Sequence, residues 1–216
     1  MDINQFIKKS RSITGDLKNF RLEDAPDSPF DLFTTWYQYA YDYGVEEPHS
    51  MTLCTVDADG FPDSRVLILK KIDERGFYFA SGSESVKGRQ LDNNPKVALN
   101  FYWKELGKQI RVRGTAVAMD RETNIGDFLN CGQTKRAFAL THKQSQPANT
   151  LQEIDEKLHE KEQFLLKNPN AINDNWIVYR VEPFEIEFFQ ARMDYKHVRI
   201  KYSLHESIWE KVLLWP

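Results

Sequence analysis

The stretch SRVLILKKIDERGFYFAS, residues 64–81, decides the fold. Two runs of aliphatic, β-branched and aromatic residues, 64–72 and 77–81, flank the polar turn DERG (73–76). Such a pattern predicts two antiparallel strands joined by a tight turn. Working outward, MTLCTV (51–56) leads into it through the turn DADG (57–60). Downstream, KVALNFYW (96–103) and KQIRVRGTAVAM (108–119) are joined through Gly107. WIVYRVEP (176–183), FEIEFFQ (184–190), HVRIKYSL (197–204) and IWEKVLLWP (208–216) add three or four more strands. Short strands with tight turns predict an antiparallel barrel or sandwich. The last strand is expected to dock into the sheet, because a tail rich in Trp, Val and Leu would not stay soluble on its own.

Helices fill the gaps. Ser28 caps a helix from Pro29 to Tyr43, and Gly44 stops it. Its apolar stripe is Leu32, Phe33, Trp36, Tyr37 and Ala40. Ser83 or Ser85 caps a short helix ended by Pro95. Asp120 caps RETNIGDFLNC, and QTKRAFALTH forms a second short helix. Thr150 with Glu153 makes a capping box for residues 151–167, whose face Leu151, Ile154, Leu158 and Leu165 is expected to pack inward.

At 216 residues with 41% hydrophobic side chains, the chain can bury one sizeable core, and it is read as a single domain over 1–216. Residues 1–20, with the run KKSRS, are read as a flexible N-terminal arm. A net charge of -3 gives no reason to expect a nucleic acid or an anionic membrane as partner. The longest apolar runs, such as Val66–Leu69, are strand-length, so no membrane span is expected. The N-terminus lacks the apolar core of a secretory leader, and Cys54 and Cys131 make no disulfide framework. A reducing, cytoplasmic setting is the expectation.

The chain has no Walker loop, GxGxxG, HExxH or GxSxG motif. Its five histidines are scattered, so no metal site is expected. What stands out is a set of cationic and amide residues at the ends of strands. Arg65 and Lys70 flank VLIL and, five apart on one strand, point to opposite faces. Lys87 opens a helix beside Ser81, Ser83 and Ser85, which suits a phosphate group. Gln109 starts a strand, and Gln144–Ser145 sit in a polar turn, where amides can read a flat heterocycle. The plainer alternative makes Arg65 and Lys70 strand-edge charges and Lys87 a solvated helix residue. In RMDYKHVRIKY (192–202), Tyr195, His197 and Arg199 share one face of a strand and could bind an anion and steer protons. The alternative there is an exposed basic edge strand.

Taken together, these segments resemble the pyridoxamine 5'-phosphate oxidase family of FMN-binding split barrels. The resemblance runs from about Phe20 to Pro216. It is most specific in SRVLILK (64–70), in 77–103, in KQIRVRGTA (108–116), in KQSQP (143–147) and in IEFFQ…HVR (186–199). It implies a mainly β fold with peripheral helices: an antiparallel, Greek-key-like split β-barrel of six to eight strands. It also implies a homodimer with FMN at each subunit interface. Carried over by residue, Arg65 and Lys87 would hold the FMN phosphate. Val66, Leu67, Lys70, Ala80 and Ser81 would follow the flavin. Gln109, Gln144 and Ser145 would supply polar contacts, Phe189 an aromatic wall and Arg199 a last FMN contact. Lys70, Tyr195 and His197 would be the catalytic residues and, with Lys135, would line the substrate side.

The departures bear on function. The family's Arg-Lys pair at the helix start is Val86–Lys87. Its substrate-phosphate Tyr, Arg and Ser align with Asp127, Cys131 and Lys135, and an aspartate there would repel a phosphate. The arginine of its Arg-x-His motif aligns with Tyr195; Arg192 or Arg136 are neighbours that could compensate. The expected function is therefore an FMN-dependent oxidoreductase acting on a substrate other than pyridoxamine phosphate. The alternatives are a genuine pyridoxamine/pyridoxine 5'-phosphate oxidase with a rebuilt phosphate pocket, and a non-enzymatic flavin-binding protein.

Overall fold

The computed structural model describes residues 3–10, 17 and 20–216. Arg11 and Ser12 of the KKSRS run, with residues 13–16, 18 and 19 of the expected arm, lie outside the described residues. The helices are α1 (Ile3–Lys9), α2 (Pro29–Tyr43), α3 (Val86–Asn93), α4 (Arg121–Leu129), α5 (Gln133–Leu140) and α6 (Leu151–Lys167). The strands are β1 (Ser50–Val56), β2 (Pro62–Ile68), β3 (Lys71–Asp73), β4 (Gly76–Gly82), β5 (Lys96–Trp103), β6 (Lys108–Ala118), β7 (Trp176–Gln190), β8 (Val198–His205) and β9 (Ile208–Leu214). They form one sheet in the order β2-β1-β5-β6-β7-β4-β3, with β8 paired to β7 and β9 to β8. Nine strands exceed the six to eight implied by the resemblance. None of the described helices is long and apolar enough to cross a membrane.

The main fold correction lies inside 64–72, expected to be one strand. The ladder to β1 ends at Ile68, and the ladder to β4 begins at Lys71. Between them the Leu69 N–H donates to His49 O and the Lys70 N–H to Tyr78 O. The chain thus changes partner within two residues, and those residues join the two edge strands of the order, β2 and β3. The strand ladders do not close the sheet on itself, in keeping with a split barrel. Lys70 stands at the split rather than on a strand face opposite Arg65.

The second correction is that 176–190 is one strand and not two. β7 pairs with β4 over 176–181 and with β8 over 185–190. Pro183 falls between the two ladders, so its missing N–H costs neither of them.

The chain divides into two compact units. The first holds residues 1–48, 100–112 and 185–216. Its centre is α2, capped by the Ser28 hydroxyl and ended by Gly44 in the left-handed region. Leu32, Phe33, Trp36 and Ala40 are buried as expected, and Tyr37 is half-buried. Phe33 meets Phe101 edge-on at 5.2 Å, and Trp36 meets Phe188 edge-on at 5.2 Å. Lys108 lies 3.5 Å from the centre of the Trp36 ring and donates to Gln190, so a buried ammonium is partnered by a π face and an amide. The C-terminal strand docks on β8 alone, leaving Trp215 exposed.

The second unit holds residues 49–99 and 113–184. Phe77, Phe79, Leu53, Leu99, Phe128 and Val181 are among its fully buried side chains. Ser85, not Ser83, caps α3 by accepting from the Gly88 N–H. The capping box of α6 is half formed: Thr150 accepts from the Glu153 N–H, but the Glu153 carboxylate takes the Asn149 N–H. The inward face of α6 is also smaller than expected. Leu165 is buried and Leu158 half-buried, but Leu151 is exposed, and Ile154 borders an open cavity with Pro147 and Ala148 instead of a packed core.

Two glycines mark where backbone geometry is strict. Gly60 (φ +88°) turns β1 into β2 with open space around it, whereas at Gly76 (φ +149°) a Cβ would collide with the Val181 carbonyl. Gly60→Ala should therefore cost about 1 kcal/mol and Gly76→Ala about 3 kcal/mol or more, read as shifts in urea midpoint.

Candidate functional site

In the second unit, β2 alternates half-buried and exposed residues, with Val66 and Ile68 showing to the outside. Exposed aliphatic side chains along an edge strand mark a surface built to be covered. Two cavities lie along it. One, of about 440 Å³, is lined by Asp63, Arg65, Val66, Leu67, Val86, Lys87, Gln144 and Ser145. The other, of about 240 Å³, is lined by Val66, Leu67, Ile68, Lys70, Ala80, Ser81, Lys135, Phe138, Gln144 and Trp176, among others. Val66, Leu67 and Gln144 border both, so the cavities adjoin.

The Arg65 end is built as a polar network. Arg65 donates to Thr55 Oγ1 (2.6 Å), Leu53 O (3.3 Å), Gln90 Oε1 (3.1 Å) and the Asp63 carboxylate. Gln90 also accepts from Thr55 (2.6 Å) and donates to Asp63 (3.2 Å). Arg65 is thereby held in one orientation. Lys87, in the first turn of α3, is buried and donates to Ser85 Oγ (3.3 Å). Burial pushes its pKa below that of an ordinary lysine; the Arg65 charge adds to this and the Asp63 charge opposes it. A buried ammonium has three donors, and Ser85 takes one. An anion with several oxygens, set against Arg65, Lys87 and the amino end of α3, satisfies the others and relieves the repulsion between the two cations. This end therefore fits a phosphate. Pairing with Asp63 lowers the net charge the phosphate would meet, as does Val86 in place of a second cation.

The Lys70 end is different. Lys70 Nζ donates to Asp127 Oδ2 on α4 (2.6 Å), which also accepts from Trp176 Nε1 (2.8 Å). Cys131 Sγ lies 3.8 Å from the same ammonium. Lys135 sits over the Trp176 ring at 5.5 Å. Ile68, Ala80 and Phe138 make the rest of this wall apolar, which suits a flat ring.

Arg65, Val66, Leu67, Lys70, Ala80, Ser81, Lys87, Lys135, Gln144 and Ser145 thus border these two cavities. Gln109, Phe189, Tyr195, His197 and Arg199 border neither; they belong to the first unit. There Gln109 donates to Asn100 (2.7 Å), and Arg199 donates to Glu187 (2.8 Å) and to Trp215 O (3.1 Å). The His197 ring lies 5.2 Å from the Phe189 ring, tilted by 49°, and its Nδ1 accepts from the Arg192 N–H (3.0 Å), so a neutral ring carries its proton on Nε2. Tyr195 does not share a strand face with His197 and Arg199. It lies in a turn with φ 60° before β8 starts at Val198, and its ring is highly exposed. Of the candidates for compensation, Arg192 is paired with Asp194, whereas Arg136 donates to Pro169 O and Ala171 O and its buried Nε has no hydrogen-bond partner.

Sequence reasoning missed Trp176, Gln90, Asp63 and Thr55. Trp176 opens a strand and reads as core. Gln90 and Thr55 are ordinary polar residues on different elements, and no spacing links them. Removing the shared amide should be costly: Gln90→Ala leaves Thr55 short of a partner and Arg65 loosely held, and should lower stability by about 1–3 kcal/mol in urea unfolding.

Comparisons with known proteins bear on this site. Residues 38–157 match the family described as Pyridoxamine 5'-phosphate oxidase, and residues 176–216 match the Pyridoxine 5'-phosphate oxidase C-terminal dimerisation region. A pyridoxine/pyridoxamine 5'-phosphate oxidase of Rubrobacter xylanophilus is 37% identical over 195 residues, 90% of each chain. One of Ectopseudomonas mendocina is 38% identical over 194 residues, 89% of this chain and 90% of the other. The crystal structure of PhzG from Burkholderia lata 383, in complex with tetrahydrophenazine-1-carboxylic acid, matches with a TM-score of 0.84 at 30% identity, covering 94% of this chain and all of that one. A pyridoxamine 5'-phosphate oxidase-related, FMN-binding protein of Nostoc punctiforme PCC 73102 shares the fold, with a TM-score of 0.69 at 16% identity, covering 88% of this chain and 98% of that one.

Proposed function

Since the chain belongs to the pyridoxamine 5'-phosphate oxidase family, we propose that it is an FMN-dependent oxidoreductase whose substrate is not pyridoxamine phosphate. The cofactor is FMN. The observation that carries the reading is the junction of two unlike cavities at Val66, Leu67 and Gln144, one cationic and one apolar. A ribityl phosphate suits the first, and an isoalloxazine ring suits the part of the second beside Val66, Leu67, Ala80 and Ser81, which leaves its Lys70 end to the substrate. Arg65 and Lys87 would hold the phosphate, with Ser81 and Ser85 near the amino end of α3. The backbone from Val66 to Lys70 and at Ala80–Ser81 would follow the ring, and Gln144 and Ser145 would contact its polar edge. When bound, FMN supplies a hydride-transferring N5 atom. The protein's part is to orient the substrate against it, exclude water and hold protons.

Gln109, Phe189, Arg199, Tyr195 and His197 would act from a second copy of the chain. The match of residues 176–216 to a dimerisation region supports this, as do the exposed apolar residues Ile208, Leu213 and Trp215 on and beside β9. In such a homodimer, His197 and Tyr195 would approach the substrate from the partner's side, facing Lys70 and Lys135.

Two readings remain to be separated. The printed names of the relatives favour oxidation of pyridoxine or pyridoxamine 5'-phosphate. The Asp127, Cys131 and Lys135 set and the pairing of Arg192 with Asp194 favour another substrate. The ligand of PhzG is a ring carboxylic acid, which supports the second reading. An oxygen-uptake assay with pyridoxamine 5'-phosphate decides: turnover at a rate typical of a dedicated oxidase would reverse the choice.

Arg65→Ala and Lys87→Ala should each weaken FMN binding by about 10- to 100-fold, the scale of one charge-assisted hydrogen bond. Unchanged flavin titrations in both would overturn the phosphate placement. Because the Lys87 proton is lost at lower pH than in an ordinary lysine, FMN affinity should be full below that lowered pKa and fall as pH rises through it. The fall should disappear in Lys87→Ala.

His197→Ala should keep its FMN content and lose turnover of any true substrate. Reduced flavin loading with intact turnover would mean that His197 serves the cofactor instead.

A further inference from the structure

At the Lys70 end of the smaller cavity, charge is balanced. Lys70 and Lys135 line it together with Glu84, and Asp127 stands directly behind. Two lysines are thus answered by two carboxylates. His142 itself lies 3.8 Å from the Glu84 carboxylate. The pairing with Asp127 is close and geometrically fixed. One carboxylate oxygen of Asp127 takes both the Lys70 ammonium and the Trp176 N–H, and only 22% of the Lys70 and 20% of the Asp127 side-chain surface is exposed. Water therefore screens this pair less than an exposed one. Lys70 is committed, and Lys135 is the cation left to meet a ligand. A phosphate dianion needs several uncommitted cations or N–H donors. An apolar ring with one weak anionic group needs one cation and apolar walls, which Ile68, Phe138 and Trp176 provide with Lys135.

We infer, on the footing of the flavin site proposed above, that this end of the cavity takes a planar, largely apolar substrate bearing no more than one negative charge. Asp127 sets that limit by occupying Lys70 and is a specificity-determining residue. Asp127→Asn keeps the shape and an oxygen for Trp176 and removes the charge, which releases the Lys70 ammonium to an incoming anion.

The test titrates three probes into purified FMN-bound protein and follows the flavin absorbance. The probes are 2-naphthoate, pyridoxine and pyridoxine 5'-phosphate. In the unsubstituted protein, 2-naphthoate should bind about tenfold more tightly than pyridoxine 5'-phosphate. Asp127→Asn should raise affinity for pyridoxine 5'-phosphate about tenfold while leaving uncharged pyridoxine unchanged. Lys135→Gln, at an exposed position that does not endanger folding, should weaken 2-naphthoate and spare pyridoxine. The inference is overturned if pyridoxine 5'-phosphate binds the unsubstituted protein more tightly than 2-naphthoate. It is equally overturned if 2-naphthoate gives no response, or if Asp127→Asn brings no gain for the phosphate. Protein that takes up no FMN before any probe is added marks the separate failure of the flavin reading, and the substrate inference falls with it.

Discussion

The two residues Leu69 and Lys70 carry the constraint on which the rest depends. Within them the backbone leaves one ladder and joins another, with one N–H given to His49 O and the next to Tyr78 O. A backbone donor must find an acceptor when it is withdrawn from water, and here the acceptors lie at opposite edges of the same sheet. The two edge strands thus continue one another end to end and do not pair. The opening that results is where β2 shows its aliphatic side chains and where Lys70 is set at the mouth of a cavity.

Electrostatics divide that opening into two ends. At one, burial and the nearby Arg65 charge together disfavour the charge on Lys87, a cost that an anion relieves. At the other, the Lys70 charge is answered within the protein by Asp127. The segment 65–70 therefore joins an end where an anion would relieve the repulsion on Lys87 to an end where Lys135 is the cation left to meet one.

Much of the fold was legible because local chemistry specifies it. The Ser28 cap, the Gly44 stop and the stripe through Leu32, Phe33, Trp36 and Ala40 are local signals, and α2 forms where they place it. The breaks were not legible. Nothing in VLILKKI separates a strand that continues from one that changes partner, because the two have the same composition and the same alternation. Pro183 reads as a strand end until β7 is seen to pair with β4 before it and with β8 after it. On α6 the apolar periodicity is real, but Leu151 and Ile154 have no packed core to meet, and periodicity says nothing about what lies opposite.

The same division holds for the site. The residue types came from sequence and from family resemblance: cations and hydroxyls at the start of a helix, amides in a turn, an aspartate aligned with a phosphate-binding position. Which of them share a cavity depended on the fold, which brings Arg65, Lys87 and Gln144 to one opening that His197 and Arg199 do not border. The partners of each charge depended on it too. Hydrogen bonds such as Lys70 to Asp127, 57 residues apart, or Thr55 to Gln90, 35 apart, leave no periodic trace in the chain. Local propensity acts over a few residues, and charge pairing acts over a few ångströms; only the folded chain turns one into the other.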